Sequence, residues 1–149
     1  MTASSALSAS FSSLGTADLY RLLKLRCDVF VVEQHCAYPE LDGRDTEPGT
    51  RHLWLDAPDG TVAAYLRVLD EPGGGARIGR VVTAAAHRGR GLAGRLLAAA
   101  LEHVGPGREV VLDAQTGATG VYERFGFAIC GPAFDDEGIE HVPMRRPAA

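Results

Sequence analysis

Residues 89–94 read Gly-Arg-Gly-Leu-Ala-Gly, between an apolar run ending at Thr83 and a helix-prone run beginning at Leu92. Glycines there let the backbone approach an anion with no Cβ in the way, and the first amides of a following helix favour phosphate oxygens. The same residues fit G-x-G-x-x-G, with Asp113 about 20 residues further on, as a dinucleotide-binding turn requires. In a dinucleotide fold, however, the strand runs almost straight into the first glycine, whereas here Ala84 to Arg88 intervene. Too little chain follows Asp113 for the further βαβ units of such a fold. A dinucleotide-binding oxidoreductase domain is therefore the weaker of two readings of this turn.

The other reading starts one residue earlier, where Arg88-Gly89-Arg90-Gly91-Leu92-Ala93 gives R-x-x-G-x-A at the start of a helix. Further along, Tyr122-Glu123-Arg124-Phe125-Gly126-Phe127 gives Y-x-x-x-G-F. In this order the two motifs resemble those of the GCN5-related N-acetyltransferases, whose acyl-CoA signature is Q/R-x-x-G-x-G/A. Arg26 to Gln34, Tyr38-Pro39-Glu40-Leu41-Asp42-Gly43, Arg51-His52-Leu53, Ala114-Gln115 and Glu137 to His141 are similar to the ElaA-like branch of that superfamily. The resemblance covers about residues 17–146.

It implies a cosubstrate, acetyl-CoA, and a role for each matching residue. Backbone groups of Val81, Val82 and Thr83 would meet the pantetheine arm, and Gly89, Arg90, Gly91, Leu92, Ala93 and Gly94 would cradle the pyrophosphate. Arg88, Arg90 and Arg95 could pair with phosphates, since guanidinium forks match phosphate oxygens. Gln115 stands where many relatives carry an asparagine, and its amide can make the same hydrogen bonds with longer reach. Tyr122 would protonate the departing thiolate, because a positioned phenol can donate as charge builds on sulfur. The implied activity is direct transfer of acetyl to a primary amine of a small molecule or protein. A non-catalytic acyl-CoA sensor or interaction module is the alternative from another class.

An alkylamine is mostly protonated at neutral pH, so some group or water chain must take a proton. Glu33, at the end of the first helix, could accept through water, and His52 and His141 offer imidazoles on strands. Positioning alone can also supply much of the acceleration. Cys36 lacks any pattern that would activate it as a nucleophile, and the five histidines lack a metal-ligand spacing, so no metal is expected. Between Glu33 and Glu47 five acids (Glu33, Glu40, Asp42, Asp45, Glu47) face one base, Arg44, a rim that would attract a cationic amine.

The elements that must position these groups follow from periodicity. Leu19, Leu22, Leu23, Cys27, Phe30 and Val31 recur at steps of three and four behind an N-capping Thr16, predicting a helix over 17–32. Residues 33–50 carry no period and read as a long loop, of the kind that lines sites. Strands are predicted near 8–14 and over 52–55, 62–69, 76–83, 109–112, 127–130 and 139–144, with helices over 92–104 and 116–124. This is an α/β (α+β) chain: a mixed, mainly antiparallel twisted sheet of about seven strands with helices on both faces, splitting near the end of the strand over 76–83.

Composition agrees with one compact domain over 1–149. The chain has 149 residues, 46% hydrophobic and 23% charged, so wholesale disorder and rod-like folds are excluded. A net charge of −4 provides no field for nucleic acid. The apolar stretch from Leu96 to Leu101 is far short of a membrane span. Residues 1–15 lack a basic leader, so the cytoplasm is the expected location. Three cysteines without a C-x-x-C pair predict reduced, mostly buried thiols. A homodimer is left open.

Overall fold

The computed structural model describes residues 5–149; residues 1–4, part of the stretch read above for a leader, lie outside them. Eight strands form one sheet: β1 (Leu7–Ser10), β2 (Arg51–Asp56), β3 (Val62–Asp70), β4 (Ala76–Thr83), β5 (Val110–Gln115), β6 (Ala128–Ile129), β7 (Phe134–Asp136) and β8 (Ile139–Arg146). Their order is β1-β2-β3-β4-β5-β8-β6, with β7 also paired to β8. Every pairing is antiparallel except that of β4 with β5. A single parallel pair is not a doubly wound sheet, so the dinucleotide-binding reading of the glycine turn is set aside.

Among the described residues three α-helices accompany the sheet: α1 (Thr16–Arg26), α2 (Leu92–Val104) and α3 (Thr119–Glu123). The central strands are buried on both faces, which is why β3 is apolar from Val62 to Leu69 apart from Arg67. On one face Leu96, Leu97, Ala100 and Val104 of α2 pack with Leu53, Leu55, Leu66, Ile78, Tyr122 and Met144. On the other, Leu22 and Leu25 of α1 pack with Trp54, Tyr65 and Val82. Helix α2 stops where Gly105 takes φ +82° and donates to the Leu101 carbonyl at 3.0 Å, with Pro106 next.

Several boundaries differ from expectation for local reasons. Gly15, not Thr16, is the N-cap of α1, and no side chain caps it. The α-helix yields at Cys27 to a wider π turn over 27–33, closed by Gln34 N–H to Val29 O at 2.8 Å. The wider turn changes the angular phase: Val29 and Phe30 stay inside while Val31 and Val32 are exposed. The first strand is only four residues long and gives way to a 3₁₀ turn over Phe11–Ser13. Strand β7, three exposed residues, was not expected and makes eight strands rather than about seven. Of the thiols, Cys36 is buried, Cys27 intermediate and Cys130 exposed. Among the described residues no helix is long and apolar enough to cross a membrane.

Two irregularities in β4 shape the sheet around the glycine turn. Against β3, Arg67 is opposite Gly79 but Tyr65 is opposite Val82, so β4 carries one extra residue there. Arg80 absorbs it at φ +52°. Such a bulge bends a strand and exchanges which side chains face which way: Ile78 and Val81 meet the α2-side core, whereas Val82 meets the α1-side core. Against β5, β4 pairs only at Ala76 with Val110 and Arg77 with Val111, after which the two strands diverge. The split therefore begins two residues into β4 rather than near its end.

Candidate active site

The divergence of β4 from β5 leaves a cavity of about 550 Å³ that passes between the strands. Its walls include Val81, Val82 and Thr83 from β4, Leu112, Asp113 and Gln115 from β5, and Ile139 and His141 from β8. Ala93, Val121 and Tyr122 close it on the α2 side, and Glu33, Gln34 and Tyr38 on the α1 side. A second cavity of about 560 Å³ adjoins it, sharing Thr83, Arg88, Ala93 and Val121. Gly89, Gly91, Leu92, Gly94 and Arg95 line this second space together with Arg124 and Phe125.

The glycine turn is built for close approach. Gly89 and Gly91 take φ +78° and +72°, and a Cβ on either would meet nothing within 4 Å. Gly91 is the N-cap of α2 and has no side chain to satisfy the first amides. The helix thus offers unspent N–H groups at the positive end of its dipole, over open space. Arg90 lies in neither cavity wall; its guanidinium instead donates to His87 Nδ1 at 3.5 Å.

Tyr122 is buried at the end of α3, edge-on to Phe127 with ring centroids 6.2 Å apart. Burial pushes its phenol up to about 12, so it holds its proton throughout the neutral range. Gln115 donates from Nε2 to Gln34 Oε1 at 3.4 Å, linking the end of β5 to the segment after the π turn.

Of the two bases among the expected catalytic residues, Glu33 lines the cavity but is paired, and His52 lies outside the cavity wall. Glu33 is held bidentately by Arg88, Nη1 to Oε2 at 2.7 Å and Nη2 to Oε1 at 3.0 Å, while Arg88 Nε donates to Thr83 O. Those hydrogen bonds lower the Glu33 carboxyl, and a carboxylate held that way is a poorer base. His52 is outside the cavity, fully buried on β2. The Asp45 carbonyl at 3.1 Å can only accept, so His52 Nε2 must donate, leaving Nδ1 to accept from Tyr65 Oη–H at 2.7 Å. With both ring nitrogens occupied, His52 has no site for a substrate proton.

The acidic rim is likewise corrected. Buried Arg26 donates to Glu40 Oε2 and to Asp45 Oδ1, each at 2.7 Å. Arg67 donates to Asp42 at 3.0 Å and to Asp45 at 2.9 Å, and Arg80 donates to Glu40 at 2.9 Å. Glu47 pairs with Arg44 at 3.1 Å. All five acids of the loop are thus spent on guanidinium groups, and the loop is pinned to α1, β3 and the β4 bulge rather than presenting free charge. Arg80, its guanidinium 5.3 Å from the centre of the Tyr38 ring, ties the bulge to this network.

This network makes stability depend on pH with a definite sign. Burial acts to raise the Asp42 and Asp45 carboxyls, but the guanidinium hydrogen bonds and charges overcome it and hold both below the ordinary carboxylate range. Burial pushes the His52 imidazole down. Depressed groups of either kind contribute stability that is present at neutral pH and lost as pH falls. The urea midpoint is therefore expected to decline from about pH 6.5 downward and more steeply below about pH 4. An unchanged midpoint between pH 7 and about pH 3 would contradict the network.

Sequence reasoning missed Arg80 and Gln34. A glycine inside a strand pattern, Gly79, was the available signal for the bulge beside Arg80. Gln34 is brought in by the π turn, which leaves no sequence signature here.

The profile of the acetyltransferase (GNAT) domain matches residues 24–147. A UPF0039 protein of Mycobacterium tuberculosis is 53% identical over 136 residues, covering 88% of this chain and 85% of that one. Protein ElaA of Escherichia coli is 38% identical over 140 residues, 91% of each. The crystal structure of Escherichia coli ElaA superposes with a TM-score of 0.88 at 34% identity, covering 95% of this chain and 98% of that one. That of an acyl-CoA N-acyltransferase from Pseudomonas aeruginosa gives 0.86 at 39% identity, with the same coverage. The splayed strands, the glycine turn and these likenesses agree: the chain belongs to the GNAT acetyltransferase family, in its ElaA-like branch.

Proposed function

We propose that the chain acts, as a single domain, as an acetyl-CoA-dependent N-acetyltransferase that moves the acetyl group directly from the thioester to a primary amine. The observation that carries this reading is the passage between β4 and β5, which joins the glycine-turn cavity to the face of the sheet bearing Gln115 and His141. A pyrophosphate fits the first amides of α2, where Gly89 and Gly91 leave the space that a Cβ would fill. The pantetheine arm fits along Val81, Val82 and Thr83, where the edge of β4 toward β5 is unpaired. Arg88 and Arg95 line the phosphate end, with Arg88 exchanging Glu33 for phosphate oxygens or holding both. Gln115 has amide donors for the arm or the acceptor.

In the reaction the amine nitrogen forms a bond to the acetyl carbon and the C–S bond breaks. Tyr122 Oη–H gives its proton to the departing sulfur, and the amine gives up one to a base or water. Burial keeps the phenol protonated through the neutral range, so the proton is in place when charge builds on the sulfur beside it. The acceptor is a small molecule or a protein side chain.

Calorimetric titration with acetyl-CoA, and with NAD as control, tests the site. Saturable binding of acetyl-CoA with none of NAD is expected. Binding of NAD alone would overturn the assignment.

A further inference from the structure

Resting on the transferase reading, we infer that His141 is the catalytic base, taking the acceptor's proton on the face of the sheet opposite Tyr122. Strand β8 alternates: Val142 and Met144 belong to the α2-side core, so His141 projects from the other face. Tyr122 packs within that α2-side core. Both residues nevertheless line the one cavity, because it passes through the gap between β4 and β5. A thioester in the gap would thus have the phenol on its sulfur side and the imidazole on the side where an acceptor enters.

The ring of His141 is held in the form a base needs. Its Nδ1 lies 2.9 Å from the carbonyl of Ile139, which can only accept, so Nδ1 carries the hydrogen and Nε2 keeps a lone pair. The ring stacks on Phe134, centroids 5.9 Å apart at 22°, and stands directly across the ladder from Gln115. Strand β7, whose Phe134 pairs with His141 in register, therefore serves to orient the imidazole.

The other titratable groups around the cavity are less suited. Glu33 is clamped by Arg88. Asp113 pairs with Arg77 at 3.3 Å. Burial, followed by the charges of Asp136 and Glu137, raises the Cys36 thiol. Tyr38 is pushed up to about 12, chiefly by burial, and its hydroxyl donates to Glu40. Asp135, Asp136, Glu137 and Glu140 are exposed groups of the β7–β8 hairpin.

In the step, His141 Nε2 takes the proton of the alkylammonium and frees the lone pair that forms the C–N bond; as the C–S bond breaks Tyr122 gives its proton to sulfur, and the surplus proton on the new amide nitrogen passes to solvent. Return of a proton from imidazolium to phenolate through solvent restores both groups.

The test compares the wild-type protein with His141→Gln. It uses acetyl-CoA with a primary alkylamine that the wild type acetylates, and separately with hydroxylamine, which is unprotonated at neutral pH. The variant is expected to lose about 100-fold in kcat with the alkylamine, the range of general-base catalysis. It should also lose the acid limb of kcat/KM while binding acetyl-CoA within about twofold of wild type. The loss with hydroxylamine should be at least about tenfold smaller, since that acceptor arrives with its lone pair free. A structural role for His141 would depress both acceptors alike and leave the limb in place. Phe134→Leu, which keeps the imidazole but removes its stack, should lower kcat by several-fold with the limb retained. A variant with wild-type turnover and pH profile would overturn the assignment alone. Absence of amine-dependent thiol release from the wild type would overturn the transferase reading, and His141 with it.

Discussion

Gly91→Glu is expected to weaken acetyl-CoA binding by at least about 100-fold in a chain that still folds. A Cβ at Gly91 would meet nothing within 4 Å, so the native packing does not forbid a side chain there. The positive φ of +72° makes any L-residue strained by about 1–2 kcal/mol. A carboxylate at the N-terminus of α2 is favourable for the helix itself and offsets part of that. The damage is therefore confined to the ligand, whose pyrophosphate would meet bulk and negative charge at the site where it needs donors. Gly91→Ala, which brings the strain without the charge, should lose far less. Calorimetry reads both, and an affinity for Gly91→Glu within about twofold of wild type would place the coenzyme elsewhere.

Tyr122→Phe should lower kcat by about 100- to 1000-fold and leave the acetyl-CoA dissociation constant within about twofold. The substitution removes one oxygen and keeps the ring that packs edge-on to Phe127, so the core around α3 is preserved. Because burial pushes the phenol up to about 12, wild-type kcat should show no loss from Tyr122 ionisation below about pH 10. Equal turnover by the two proteins would remove the acid role. A loss of affinity matching the loss of turnover would make Tyr122 a binding residue instead.

How far the sequence anticipated this site depended on whether the information was local. Strand β4 and helix α2 were read with their observed bounds, because alternation, the glycine turn and Gly105-Pro106 are all short-range signals. The Tyr122 motif was legible for the same reason. Glu33 and Arg88, by contrast, lie 55 positions apart, and nothing near either residue announces that they neutralise each other. Three of the loop acids, Glu40, Asp42 and Asp45, looked like part of a solvated rim because their partners Arg26, Arg67 and Arg80 come from α1, β3 and β4. Arg26 is fully buried, a fate that charge alone argues against unless paired. His52 and His141 were indistinguishable as strand histidines. Only the carbonyl and hydroxyl around each ring show that one has both nitrogens occupied and the other has one free.

The most direct test of the central claim is thiol release from acetyl-CoA by the purified protein across a panel of primary amines at neutral pH. The expected release requires both protein and amine, saturates with acetyl-CoA, and yields one acetylated amine for each thiol formed. Saturable acetyl-CoA binding with no amine-dependent thiol from any member of the panel, free amines and lysine-containing peptides included, would contradict it and make the chain an acyl-CoA-binding module.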